Sequence, residues 1–176
     1  SCLQVATLNV SQFGRVNVWI ENVESYQLQI WGNLTIPYPD DSFWQILTDY
    51  EALPSFIPHL VKSQRIPHPE SRLRLEQVGA KSLLKFQFSA RAVLDLVEQF
   101  PHLIQFQLVE GDFHSLSGEC RFQEETSPDG TATHIHFFVQ LFPKLSIPSV
   151  LLEKLLQKYL SFNLMAIHQH VSQVLT

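Results

Sequence analysis

The chain has 176 residues, 45% of them hydrophobic and 16% charged, with a formal net charge of -5. That balance describes one globular domain with a generous apolar interior, excludes a disordered chain, and lacks the clustered Lys and Arg that would grip nucleic acid. Two cysteines, Cys2 and Cys120, imply neither a disulfide scaffold nor a zinc cluster and suit a reducing, cytoplasmic location, and the apolar runs fall short of the ~18 residues needed to cross a bilayer.

Residues 1–24 read as an N-terminal extension, an edge hairpin of two short extended pieces, Val5 to Val10 and Val16 to Ile20, around a Phe13-Gly14-Arg15 turn. The first strand of the main sheet follows from about Tyr26 to Ile36, where Leu28, Ile30, Gly32, Leu34 and Ile36 share one face. Proline then ends it, and Pro39 with Asp40, Asp41 and Ser42 supplies the rigid first turn and negative charge that favour a helix start. Phe43, Trp44, Ile46 and Leu47 give that helix a buried side, and a second short helix spans Tyr50 to Phe56. Asp49, between the two, is expected to cap the second helix, with a ligand or lid role as the alternative, and Tyr50 to pack at an interface.

Strands at about 61–67 and 72–79 lead into four longer ones. Leu84, Phe86, Phe88, Ala90, Ala92, Leu94 and Leu96 alternate along the first, a length that implies strong curvature. Ile104, Phe106 and Leu108 form the next inward face. Ser127-Pro128-Asp129-Gly130 suits a type I turn, and folding about it pairs Phe122 with Ile135, Cys120 with Phe137, Gly118 with Val139 and Leu116 with Leu141. Gly118 would leave room beside Val139 as a bend or as cavity space.

The last segment, about 148–174, reads as a helix near 40 Å long. Leu152, Leu156, Tyr159, Asn163, Ala166, Ile167, His170 and Val174 are expected on its packed face, with Lys154, Gln157, Lys158, Ser161, His168 and Ser172 on the wet one. Asn163 and His170 are polar groups on an apolar face: either handles for a mostly apolar ligand or core groups satisfied by the protein.

Little else suggests chemistry. His134 and His136 share a strand face, but it is the outward one, opposite Gln123 and Arg121, and no third metal ligand converges there. Nucleophile elbows, dinucleotide fingerprints and phosphate loops are absent, so no cofactor or metal is implied. Glu76, Glu98 and Arg91 would serve as acid, base or anchor only if they faced a cavity; strand parity puts Arg91 and Asp95 outside, as surface ion pairs.

Several runs together resemble one known family. Leu47-Thr48-Asp49-Tyr50-Glu51 with Pro54, Phe56, Ile57 and Pro58, then Leu75-Glu76-Gln77-Val78-Gly79, Leu94-Asp95-Leu96, Glu110-Gly111-Asp112-Phe113 and Asn163-Leu164-Met165-Ala166-Ile167, are similar to the polyketide cyclase/dehydrase branch of the START-like (SRPBCC) lipid-binding superfamily. The wording of these runs looks closest to cyanobacterial and plastid members. The resemblance implies an α+β helix-grip fold over residues 25–176: a curved antiparallel sheet wrapped around a long C-terminal helix, with two short helices after the first main strand.

It also implies a function, the binding or transport of a lipid, an isoprenoid or quinone, or a polyketide-like molecule between sheet and helix. The cavity wall carried over from the family is Trp44, Leu47, Phe56, Phe86, Phe88, Phe106, Gly118, Phe137, Tyr159, Asn163, Ala166 and His170. A first alternative is a cyclase or dehydrase acting on an apolar carbonyl compound through Tyr159, His170 or Glu98, although the inward acid and base pair of aromatase-type relatives is not evident. A second is a protein-interaction module or chaperone using the Ile57-Pro58 corner. Transient membrane or protein contact is compatible with each of these readings.

Overall fold

The computed structural model describes residues 4–9, 15–24, 26–83, 86–144 and 147–176, with the backbone alone described for 4–9, 15, 81–83 and 86. Among the described residues nine strands form one antiparallel sheet: β1 (Gln4–Asn9), β2 (Arg15–Glu24), β3 (Gln27–Ile36), β4 (Leu60–Arg65), β5 (Leu73–Leu83), β6 (Phe86–Gln99), β7 (Leu103–Gly111), β8 (Phe113–Ser127) and β9 (Gly130–Pro143). Their spatial order is β1-β2-β3-β9-β8-β7-β6-β5-β4, so among the described residues β1 and β4 are the two borders and the sheet is an open band. Helix α1 (Asp40–Leu47) and a 3-10 helix (Tyr50–Ser55) connect β3 to β4, and α2 (Ser149–Leu175) follows β9. This is the expected α+β helix-grip architecture. The second short helix is of the tighter 3-10 kind.

The alternating apolar faces become the inside of the band. In β3 every second residue from Leu28 to Ile36 is buried, and β2 adds Val16, Val18 and Ile20 to the same core. The hairpin of β8 and β9 has the expected register, pairing Phe122 with Ile135, Cys120 with Phe137, Gly118 with Val139 and Leu116 with Leu141. One residue of slip would have turned every one of those side chains outward.

The Glu110-Gly111-Asp112-Phe113 run makes a sharp corner. Gly111 adopts φ +142, and a Cβ on it would run into the Arg91 carbonyl oxygen, so only glycine fits. Asp112 locks the corner: its N–H donates to the Arg91 carbonyl at 2.8 Å, and its Oδ2 accepts from the Arg91 N–H at 2.7 Å. The β6–β7 ladder therefore ends at the Ala92–Gly111 pair, and Phe86 to Arg91 continue with β5 as their sheet partner.

Helix α2 corrects one expectation. Its buried residues are Leu152, Glu153, Leu155, Ser161, Leu164, Ile167, His168 and Val171, while Val174 is 54% exposed. At 100° per residue the buried arc lies roughly a quarter of a turn from the one expected. The physical reason is that the helix meets matter on two sides. It faces a cavity along Leu156, Tyr159 and Leu160 and also packs on β2 and β3, and its Ser161 and His168, expected on the wet face, are buried as thoroughly as its leucines. Gly32 in β3 shows how close that second contact is, since a Cβ there would stand 3.1 Å from Leu164 Cδ1.

Candidate functional site

Between the inner face of the sheet and α2 lies a cavity of about 430 Å³, within the ~300–1,000 Å³ range of small-molecule sites. The sheet supplies Leu75, Gly79, Phe88, Ala92, Leu94, Leu96, Ile104, Phe106, Phe137 and Val139. Leu47, Tyr50, Leu53 and Ile57 close one side, and Leu152, Leu155, Leu156, Tyr159, Leu160 and Ile167 come from α2. None of the described lining residues is Asp, Glu, His, Lys or Arg. An apolar guest is favoured by ~25 cal/mol for each Å² of its surface removed from water, and an unpaired ion is strongly disfavoured.

The polar atoms in the wall are few and are held neutral. Tyr50, 4% exposed, donates its hydroxyl hydrogen to Glu98 Oε2 at 2.8 Å. Burial first, and then the neighbouring Glu98 carboxylate, push its phenol well above the ordinary value. Tyr159 donates to the His59 carbonyl at 3.3 Å; burial raises its phenol too, and the hydrogen bond from the Asn163 side chain offsets part of that. Cys120 is buried, so its thiol is likewise pushed up, away from the thiolate form a nucleophile needs. Gln77 turns over β4, with Nε2 donating to Ser63 Oγ at 3.1 Å.

Of the residues expected at the wall, Leu47, Phe88, Phe106, Phe137 and Tyr159 line the cavity. The Phe86 side chain lies outside the described residues. Trp44 is spent elsewhere, with its ring 5.5 Å from that of Phe100 and 5.3 Å from that of Phe122. Phe56 and His170 stack on one another, centroids 3.8 Å apart and 4° from parallel, and neither reaches the cavity. Gly118 makes no free space, because the Phe106 ring and the Phe138 carbonyl fill the volume a Cβ would take. Asn163 meets Tyr159 and lies behind the wall, as does Ala166.

Asp49 stands at the N-cap position, but with ψ 69 and no side-chain capping bond, short of the extended conformation that capping residues adopt. Its carbonyl accepts from the Ala52 N–H at 3.0 Å instead. Tyr50, expected as a packing group, proves to be a lining residue with a hydrogen bond. The signal that could have marked it is its place directly after a helix end, on the inner side with Leu47 and Leu53.

Apart from Glu98, the charged strand residues singled out in the sequence are held in ion pairs away from the cavity. Arg91 Nε meets Glu76 Oε2 at 2.7 Å, and Lys62 bridges the same carboxylate. Arg74 grips Asp95 through Nε at 2.6 Å and through a second nitrogen at 3.1 Å. Arg91 and Asp95 are thus both in surface pairs, with different partners. His134 is held by Thr35 Oγ1 at 2.9 Å and Glu125 Oε2 at 2.6 Å. Among the described residues no three of His, Cys, Asp and Glu gather as a metal site would require.

A family model described as polyketide cyclase/dehydrase and lipid transport matches residues 36–167. The ribosome association toxin RatA of Pseudomonas aeruginosa is 31% identical over 88 residues, half of this chain; the chain spans 58% of that protein's length. Among solved structures, the STAR-related lipid transfer protein from Xanthomonas axonopodis superposes with a TM-score of 0.69 at 14% identity, covering 96% of this chain and 98% of that one. The Zhui aromatase/cyclase from Streptomyces sp. R1128 superposes at 0.64 and 13% identity, covering 84% and 95%. At such identities the two structures establish a common fold.

Proposed function

The chain belongs to the polyketide cyclase/dehydrase and lipid transport family, and from that premise we propose that it binds and carries a hydrophobic small molecule in the cavity between sheet and α2. The observation that carries this reading is a hollow of about 430 Å³ whose described walls hold no charged side chain. Leu47, Phe88, Phe106, Phe137 and Tyr159 are its proposed ligand contacts, joined by Tyr50. A lipid, an isoprenoid compound or a polyketide fits such a space.

A cyclase or dehydrase would need two proton-transfer groups within hydrogen-bond reach of one point. Of Tyr159, His170 and Glu98, only Tyr159 lines the cavity, which favours carriage over catalysis. Among the described residues no helix is long and apolar enough to cross a membrane; a cytoplasmic location, with transient contact to the membrane or protein that supplies the ligand, completes the proposal. So does the division into an extension, 1–24, and a binding domain, 25–176. The likeness in motif wording to cyanobacterial and plastid members is kept on the same footing.

Native mass spectrometry and organic-solvent extraction of the purified protein test the reading, together with uptake of the apolar fluorophore N-phenyl-1-naphthylamine. Binding is expected in the wild type and at least tenfold weaker in Ala92→Phe, which fills the hollow from β6. A protein that neither carries nor takes up any apolar compound would defeat the proposal.

A further inference from the structure

The two phenols of the cavity have already committed their hydrogens. Tyr50 gives its own to Glu98 Oε2 at 2.8 Å, and Tyr159 gives its own to the His59 carbonyl at 3.3 Å. A phenol is one donor with lone pairs to accept, so what these groups still offer inward is acceptance. At Tyr159 that capacity is partly used by Asn163, whereas among the described residues the one hydrogen bond shown for the Tyr50 hydroxyl is the one it donates. Gln77 commits one amide hydrogen to Ser63 over β4, Ser89 lies exposed at the margin of the lining, where water competes for its hydroxyl, and Cys120 brings only a weak thiol donor.

We infer that, within the binding reading above, the cavity selects an apolar ligand whose polar end donates a hydrogen bond, a hydroxyl compound, over acceptor-only ketones, quinones and esters of the same size, and that Tyr50 backed by Glu98 is the specificity-determining pair. A ketone or quinone oxygen would face the Tyr50 oxygen with no hydrogen between them. To receive one, it would have to draw the phenol hydrogen away from a carboxylate, a stronger acceptor than any carbonyl. A hydroxyl group meets no such conflict. An ammonium head would also donate, but in an uncharged wall its desolvation outweighs one hydrogen bond to a neutral oxygen.

The test is competition of 1-decanol and 2-decanone against N-phenyl-1-naphthylamine. The wild type is expected to bind decanol roughly fivefold tighter, the size of one net hydrogen bond. In Tyr50→Phe the preference disappears through weaker decanol binding, with decanone unchanged. Glu98→Ala, a change at an exposed residue, frees the phenol hydrogen to turn inward, so the preference narrows because decanone gains. This variant decides the matter should Tyr50→Phe fold poorly, which thermal melting would reveal. Equal or reversed affinities in the wild type, or a preference that survives both substitutions, would overturn the inference while leaving the carrier reading intact. If neither compound displaces the probe, both fall together.

Discussion

The hydroxyl of Tyr159 occupies the space in which a side chain at Gly79 would begin, with Tyr159 Cζ only 3.2 Å from that point. Strand β5 and helix α2 therefore touch where nothing larger than hydrogen fits. Gly79→Ala should cost about 1–3 kcal/mol through overpacking, and because the obstacle is the end of a side chain, most of that loss should return in the Gly79→Ala/Tyr159→Phe double variant. Urea denaturation of the four proteins in the cycle measures it; additive losses would mean the contact is not the cause.

Gly118 poses a different obstacle. A Cβ there would meet the Phe138 carbonyl of the neighbouring strand as well as Phe106 Cζ at 2.7 Å. Backbone cannot step aside as a ring can, so Gly118→Ala should destabilise more than Gly79→Ala, and pairing it with Phe106→Leu should recover little. A full rescue by Phe106→Leu would show that the ring alone sets the limit.

The Arg74 guanidinium beside Asp95, more than the nearby His68, holds the Asp95 carboxyl below its ordinary 3.8. A carboxyl lowered in the folded state adds stability that is present above about pH 4 and is lost as pH falls through the lowered value. Arg74→Met should thus be slightly less stable than wild type at pH 7, by the small margin of a solvent-screened pair. The gap should close towards pH 2. Denaturation midpoints at pH 7, 4 and 2.5 check this, and a gap independent of pH would point to lost packing of the Arg stem.

At the alkaline end the sign reverses. Burial raises the Cys120 thiol above its ordinary 9.0, so its share of stability is complete below pH 9 and declines as the unfolded chain begins to ionise above it. Cys120→Ala should cost about 1 kcal/mol at pH 7 from the lost buried atom and should flatten the decline between pH 9 and 10. Parallel slopes for wild type and variant would refute the assignment.

How much of this was legible beforehand differs by element. The strands of the β8–β9 hairpin could be read to the residue, because period-two alternation and one tight turn leave a single register with both apolar faces inward. Helix α2 was legible in extent but not in orientation: the apolar stripe marks where carbon is, whereas Ser161 and His168 are buried in a helix that also packs on β2 and β3, strands more than a hundred residues away in the chain. The same non-local cause misplaced half of the expected wall. Phe56 and His170 satisfy one another in a stack, Trp44 joins Phe100 and Phe122, and nothing in local spacing distinguishes an aromatic that packs on a neighbour from one that borders a void. Tyr50 was undervalued because its partner, Glu98, stands 48 positions further on.

The sheet that holds α2 runs from β1 at one border to β4 at the other without joining them. In a closed ring the girth is dictated by the number of strands and their stagger. A ribbon with two loose ends can tighten or relax its coil around the rod while every rung of its ladder stays intact. The room inside is therefore set by the bulk of the residues pointing inward, and a handful of substitutions at places such as Ala90 and Ala92 would retune the guest this scaffold accepts without disturbing the frame.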